Sequence, residues 1–139
     1  MSDTLKITYK IFLEAEDVSQ SRIASSTSYV KNALKNHKNP YINLAQPDDE
    51  SDMEDFILRF YVDETIEETD CQNQDAAEGF IDNLVELLDE IAHQHSFLDM
   101  EGSFSISYEG ESLSYSFSSE SGSGVCDFQE MNATESMTE

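Results

Sequence analysis

The sequence SFSISYEGESLSYSFS, residues 103–118, alternates apolar and small polar side chains on both sides of a single glycine. This alternation is typical of two strands that each have one buried face and one polar face. A two-residue turn at Gly110-Glu111, with glycine first as type II′ requires, predicts a β-hairpin. The register pairs Tyr108 with Leu113, Ile106 with Tyr115, and Phe104 with Phe117. The outer face of this hairpin is nearly all serine.

The segment before the hairpin, residues 73–95, predicts an amphipathic helix with a wide apolar stripe. The stripe consists of Phe80, Ile81, Leu84, Leu87, Leu88 and Ile91. The opposite face is acidic and carries Glu78, Asp82, Glu86, Asp89 and Glu90. Acidic side chains near the end of a helix oppose its dipole, as Asp89 and Glu90 do here. Because acidic residues at these positions lower the local stability of the helix, their presence indicates that charge on this face is selected for function.

The first half of the chain supplies the remaining elements. Residues 5–13 alternate as a half-buried strand, and Ser19 caps a helix that Asn39-Pro40 ends. Residues 41–44 fit a short strand, residues 56–62 a longer one, and residues 63–75 an acidic connector.

These elements follow the order β-α-(β)-β-α-β-β, which predicts an α+β domain. The economical arrangement is a mostly antiparallel sheet of four to five strands with two helices on one face. We expect one domain over residues 1–118. A flexible, acidic tail rich in Ser and Gly is expected over residues 119–139, where residues 125–128 fit an additional edge strand.

Charge is the strongest feature of the composition. The 139 residues carry a formal net charge of −23. Six Lys and Arg against four acids give residues 1–45 a charge of +2, whereas residues 46–139 hold one Arg against 26 acids. Salt adaptation is disfavoured, because it removes lysines throughout a chain and the first third keeps them. So large a negative charge argues against direct binding to nucleic acid or an anionic membrane.

No catalytic or metal-binding motif is found in the sequence. A calcium loop starting at Asp48 fails, because Met53 stands where glycine is needed and Arg59 where glutamate is needed. Cys71 and Cys126 are too few for a disulfide framework or metal cluster, and they are expected to be free thiols, with a bridge between them as the minor alternative. We therefore expect no enzyme, cofactor or metal; a small enzyme or a metal-dependent hydrolase is the least favoured alternative.

The N-terminus lacks a basic region followed by an apolar stretch, and no apolar run reaches the roughly 20 residues of a membrane span. We expect a soluble, cytoplasmic protein, located in the host cytoplasm if a phage encodes it.

The acidic helix face and two further acidic stretches are the candidate partner-binding residues. The further residues are Asp48, Asp49, Glu50 and Asp52 in one stretch, and Glu64, Glu67 and Glu68 in the other. This pattern resembles the acidic DNA-mimic inhibitors encoded by phages and mobile elements, such as anti-restriction and some anti-CRISPR proteins. The resemblance lies in size, single-domain layout and the charge of residues 46–139, without a sequence motif. It implies inhibition of a basic nucleic-acid-binding protein, such as a host-defence nuclease complex.

An immunity or adaptor protein that binds a specific cationic partner without imitating nucleic acid is the alternative. Its binding energy is expected in aromatic side chains such as Tyr61 or Tyr41, with charge acting mainly on the association rate.

Overall fold

The computed structural model describes residues 4–71, 73–108 and 110–131. The strands in this part of the chain are β1 (Leu5–Ala15), β2 (Asp48–Asp49), β3 (Leu58–Glu68), β4 (Asp99–Tyr108), β5 (Glu111–Ser119) and β6 (Asp127–Glu130). The helices are α1 (Gln20–Lys35), α2 (Pro40–Asn43), α3 (Gln74–Glu78) and α4 (Phe80–Gln94). The strands form one sheet in the order β2-β3-β1-β4-β5-β6, and all its pairings are antiparallel. The predicted α+β class with an antiparallel sheet is confirmed.

β1 lies in the middle of the sheet, paired with β3 on one side and β4 on the other. Its alternate residues Leu5, Ile7, Tyr9, Ile11 and Leu13 are buried in the core. The residues between them, including Lys6 and Lys10, are wholly or partly exposed on the other side. The sheet therefore has a covered face and an open face, as alternation in the sequence predicts.

The two long helices both lie on the covered face. Val30 of α1 packs near Leu13 and Phe60, which places α1 over β1 and β3. Phe80 of α4 packs against Tyr9, with ring centroids 5.7 Å apart. At the start of α1, the Ser19 side chain accepts a hydrogen bond from the backbone N–H of Arg22, as predicted for a capping residue.

The structure corrects three element predictions. Residues 41–44 are not a strand: Pro40–Asn43 form α2, with the Asn39 side chain accepting from the Tyr41 N–H at 2.9 Å. Asn followed by Pro is a favourable start for a helix, because proline lacks the N–H that the first helical position leaves unpaired. Residues 63–68 are not a connector. They continue β3, which pairs with β1 along the full length of both strands. The helix predicted over residues 73–95 is two helices, separated at Gly79.

The hairpin forms, but its predicted register was wrong by two residues. Tyr108 pairs with Glu111, Ile106 with Leu113, and Phe104 with Tyr115. Gly110, with φ +80°, is the last residue before β5, so Glu111 belongs to the strand and not to the turn. A shift of two residues keeps every side chain on its predicted face, because side chains alternate with a period of two.

The segment after β5 contains a further strand. β6 pairs with β5 through Phe117 and Phe128, so the edge strand expected over residues 125–128 does form, but it covers Asp127–Glu130. Phe128 lies 6.2 Å from Phe117 and 6.3 Å from Phe104, measured between ring centroids. Residues 132–139 of the predicted tail lie outside the described residues.

Candidate acidic interaction surface

Five of the predicted carboxylates lie on the outer side of α3 and α4. This acidic helix face comprises Glu78, Asp82, Glu86, Asp89 and Glu90, all exposed. The opposite side of α4 is buried through Phe80, Leu84, Leu88 and Ile91. The amphipathic pattern therefore holds the acids outward, because burying the apolar stripe fixes the rotation of the helix.

Cations are scarce around the acidic helix face. The chain has no Lys or Arg after Arg59. Among the described residues, the ion pairs join Lys6 to Glu67, Lys31 to Asp49, and Arg59 to Glu14, so none involves α4. Within the described ranges, the carboxylates of this face therefore have no salt-bridge partner.

Two side chains from the first third of the chain interact with this face, Tyr29 by a hydrogen bond and His37 electrostatically. The Tyr29 hydroxyl donates to Glu90 Oε1 at 2.7 Å. Burial, that hydrogen bond and the charge of Glu90 together raise the pKa of Tyr29 to about 12. Burial and the charge of Lys38 lower the pKa of His37, while Glu86 acts in the opposite direction. The Glu90 carboxylate is therefore held in position by a hydroxyl that stays protonated at neutral pH.

The second group of predicted acids lies at the β2 edge of the sheet. Asp48, Asp49, Glu50 and Asp52 are all exposed there. Asp49 contacts the Lys31 ammonium at 3.3 Å. Burial acts to raise the pKa of Asp49, but hydrogen bonds from Ser51 and the nearby Lys31 outweigh it and hold that pKa below its usual value.

Asp52 and Glu50 have local roles at this edge. The Asp52 carboxylate accepts hydrogen bonds from the backbone N–H groups of Glu54 and Asp55, at 3.0 and 3.2 Å. It therefore organises the turn that leads into β3. The negative charges of Glu50 and Asp48 raise the pKa of the Tyr61 hydroxyl, which lies 3.5 Å from Glu50 Oε2.

The third group, on β3, is already engaged within the protein. Glu67 contacts Lys6 at 3.8 Å on the open face. Glu64 accepts from the backbone N–H of Gln46, and Glu68 accepts from the Tyr41 hydroxyl, both at 2.8 Å. The sequence placed these acids in a connector, but β3 pairing points Glu64 and Glu68 towards the covered side, where they satisfy polar groups of the chain.

The twelve predicted acids therefore fall into three groups instead of one array. α1 stands between the first two, because it contacts α4 through Tyr29 and the β2 edge through Lys31. Of the three groups, the acidic helix face is the one that is exposed throughout and has no ion pair to Lys or Arg among the described residues.

Sequence reasoning missed a groove beside the acidic helix face. Its walls are α3 and α4 on one side and the β4–β5 hairpin on the other, and its volume is about 620 Å³. Leu113 was expected in the core, yet 41% of it is exposed in this groove. The sequence carries a weak signal for the groove, because Ile81 widens the apolar stripe of α4 towards the hairpin.

The predicted aromatic binding residues differ in accessibility. Tyr41 is buried at 2% exposure, so it is unable to act as a contact residue in this structure. Tyr61 stays accessible on the open face and stacks on Phe12, with ring centroids 6.0 Å apart.

The two cysteines are not joined to each other. Cys71 is half-buried, Cys126 is buried, and both are free thiols, so the alternative of a bridge is wrong. Burial, with the charges of Asp89 and Asp127, raises the pKa of Cys126 to about 12. Within the described ranges, no three His, Cys, Asp or Glu side chains are grouped to hold a metal ion.

No helix in residues 4–71, 73–108 or 110–131 is both long and apolar enough to cross a membrane. Comparison with protein-family models, with curated proteins and with solved structures finds no match to this chain.

Proposed function

We propose that this protein is a non-enzymatic inhibitor that places the acidic helix face in the nucleic-acid groove of a basic protein. One observation carries the proposal: five outward carboxylates along α3 and α4 form no ion pair with Lys or Arg in the part of the chain that the structure describes. The class of target is a nucleic-acid-binding protein, with a host-defence nuclease complex in the cytoplasm as the leading candidate.

The spacing of the carboxylates suits this role. Asp82, Glu86 and Glu90 recur every fourth residue, so they advance by about 6 Å along the helix axis. Phosphates advance by about 3.4 Å per base along one strand of B-DNA, so two steps give about 7 Å. A basic groove shaped for a phosphate row therefore meets a comparable row of charges. Binding would release the groove's counter-ions, and long-range attraction would speed the encounter.

The β2-edge acids are proposed as support for the main row. Asp48, Glu50 and Asp52 face solvent on the far side of α1 from the acidic helix face. They add to the negative potential of the molecule even where they do not enter the groove, since charges several ångströms apart still act together at low salt.

The decisive experiment is competition. The protein, tagged and used as bait, captures basic partners from the cell that encodes it, and each partner is then bound to a labelled duplex or RNA. We expect excess protein to displace the nucleic acid, and displacement to weaken as salt rises. Failure to displace nucleic acid from every captured partner, even at low salt, would overturn the proposal.

Two matched variants distinguish the effect of the acidic helix face from the effect of the overall net charge. The variant Asp82→Asn, Glu86→Gln, Glu90→Gln removes three charges from the acidic helix face. The control variant Glu16→Gln, Glu54→Gln, Glu120→Gln removes three exposed charges from elsewhere. We expect displacement by the first variant to weaken at least about tenfold at low salt, since each lost phosphate-like contact forgoes counter-ion release. Equal weakening by both variants would assign the effect to overall charge.

The alternative is an immunity or adaptor protein that binds a cationic partner without occupying its nucleic-acid groove. The accessible pair of Phe12 and Tyr61 favours it, because exposed stacked aromatics are common binding anchors. Here the acidic-helix-face variant would slow association and leave dissociation nearly unchanged, whereas Tyr61→Ala would speed dissociation. Nucleic acid and this protein would then bind the partner at the same time.

A further inference from the structure

An apolar groove opens directly beside the acidic helix face. Ile81 of α4 forms one wall, and Leu113 and Tyr115 of β5 form the other. Ile106 of β4 lies at the base, where it is almost fully buried. The volume of about 620 Å³ falls within the range of roughly 300–1,000 Å³ that is usual for ligand pockets.

The groove exists because the two long helices, side by side, do not cover the full width of the sheet. Strands lie about 4.8 Å apart, and a helix with its side chains is about 10 Å across. α1 lies over β1 and β3, and α4 packs over the centre of the sheet, so the covered side of β5 extends past the helix layer. Phe128 from β6 packs on Phe117 at one end of β5, whereas Leu113 at the other end is 41% exposed.

The charged residues described at the rim of the groove are all acidic. Glu78 and Asp82 lie along the helix side, and Glu111 lies on the hairpin side. Among the described residues that line the groove, none is Lys, Arg or His. Glu78 and Asp82 also belong to the acidic helix face, so the groove and that face form one continuous surface.

We propose that this groove receives a Leu or Phe side chain from a segment of the basic partner in which Lys or Arg flank that anchor. The inference rests on the proposed function and adds to it a specific apolar contact. Charge complementarity indicates the occupant. The apolar base of the groove would bury an apolar side chain away from water, and the three rim carboxylates would attract cations on either side of it. A bare phosphate mimic needs no such groove.

The test uses two short peptides that differ at one position. Both consist of Lys, Arg and Gly, one with a central Phe and the other with Ser in its place. NMR titration of the whole chain gives the affinities and the site, at about 0.02 M and about 0.5 M NaCl. We expect the Phe peptide to bind about tenfold more tightly, because the groove removes much of the ring from water. The ratio should persist at high salt, and shifts should centre on Leu113 and Tyr115.

Two variants localise the effect. Leu113→Ser should reduce the ratio between the peptides to near one while binding of the Ser peptide stays unchanged. Val125→Ser, at a side chain 58% exposed outside the groove, should leave the ratio as in the parent chain. The comparison of the two peptides on the unsubstituted chain tests the inference even if Leu113→Ser proves unstable.

The outcomes distinguish this inference from the function on which it rests. Equal binding of the two peptides, or shifts centred away from the groove, would overturn the inference and leave the charge-based function standing. Absence of binding by either peptide at low salt would overturn both. Dimerisation of the chain that Leu113→Ser abolishes would assign the groove to a second copy and overturn the inference.

Discussion

Tyr9 shows how one side chain joins the sheet to α2. Its ring is fully buried against Phe80, and its hydroxyl donates to the Tyr41 carbonyl at 2.8 Å. Burial, aided by the charge of Glu64, raises the pKa of this hydroxyl far above its usual value, so it remains a donor at any physiological pH. Tyr41 in turn donates to Glu68, which ties the end of β3 to α2.

Removal of the Tyr9 hydroxyl should therefore cost more than removal of an exposed one. We expect Tyr9→Phe to lower the free energy of unfolding by about 1–2 kcal/mol, because the Tyr41 carbonyl loses its donor inside the core. Tyr61→Phe, at an accessible position, should change it by less than about 0.5 kcal/mol. Urea denaturation of the two variants measures the difference, and equal losses would contradict this role for Tyr9.

His95 makes stability sensitive to pH. Its Nδ1 lies 3.2 Å from Ser26 Oγ, its ring packs on Tyr29, and its buried Nε2 has no hydrogen-bond partner in the described part of the chain. Burial, and then the charge of Arg22, lower the pKa of His95 below its usual 6.5. The folded state thus favours the neutral ring, and the unfolded state binds the proton more readily.

The sign of the pH effect follows from this difference. The contribution of His95 is fully present above about pH 6.5 and is lost as pH falls from there through the lowered pKa of the folded state, because protons then favour the unfolded chain. We expect His95→Gln to have a shallower fall in free energy of unfolding between about pH 7.5 and 5.5 than the parent. His93→Gln, at an exposed position, serves as the control. A slope unchanged by His95→Gln would contradict the assignment.

At the scale of the elements, Gly102 permits the close contact between β1, β4 and β5. It pairs with Ile11 on one side and Phe117 on the other, and its φ is +158°. An added Cβ would collide with the Lys10 carbonyl oxygen and would stand 2.9 Å from the Phe117 ring. The aromatic ring fills the space that a side chain at this position would need.

We expect Gly102→Ala to lower the free energy of unfolding by about 3 kcal/mol, since neither a backbone carbonyl nor a buried ring moves aside cheaply. Gly79→Ala is the matched control. Gly79 has φ −92°, and an added Cβ would lie 3.4 Å from the Asp75 carbonyl oxygen. That change should leave stability the same or raise it slightly. Thermal or urea unfolding of both variants measures these changes. An unchanged free energy of unfolding for Gly102→Ala would contradict the prediction and show that the sheet relaxes around the methyl group.

At the scale of the whole molecule, charge opposes the compact state. The formal charge is −23, and the ion pairs among described residues are surface pairs of small value. Self-repulsion between carboxylates should therefore dominate the electrostatic part of stability.

Salt should stabilise this fold. We expect the melting temperature to rise by about 5 °C or more between about 0.02 M and 0.5 M NaCl, because screening weakens the repulsion. The variant Asp82→Asn, Glu86→Gln, Glu90→Gln should melt higher than the parent at low salt and respond less to added salt. Calorimetric scans at several salt concentrations test this, and a melting temperature that falls with salt would mean that attractive pairs outweigh repulsion.

Local pattern predicted the types of most elements, since alternation and helical spacing are properties of neighbouring residues. It predicted the strand over residues 5–13, the capped first helix, the acidic stripe of α4 and the single covered face of the sheet. It failed at residues 41–44 and 63–68, where the conformation depends on partners far away in the chain. Tyr41 and Ile42 are buried within a helical turn, and residues 63–68 extend β3 because β1 supplies an equally long partner.

The sequence by itself determined the α+β class, the imbalance of charge between the two parts of the chain, and the outward direction of the α4 carboxylates. Tertiary structure alone decided the strand order, the hairpin register, the division of the acids by α1 and the groove beside α4. The physical reason is range. Periodicity and charge are set by neighbours along the chain, whereas register, ion pairing and uncovered apolar surface are set by which distant elements pack together and how far each one extends.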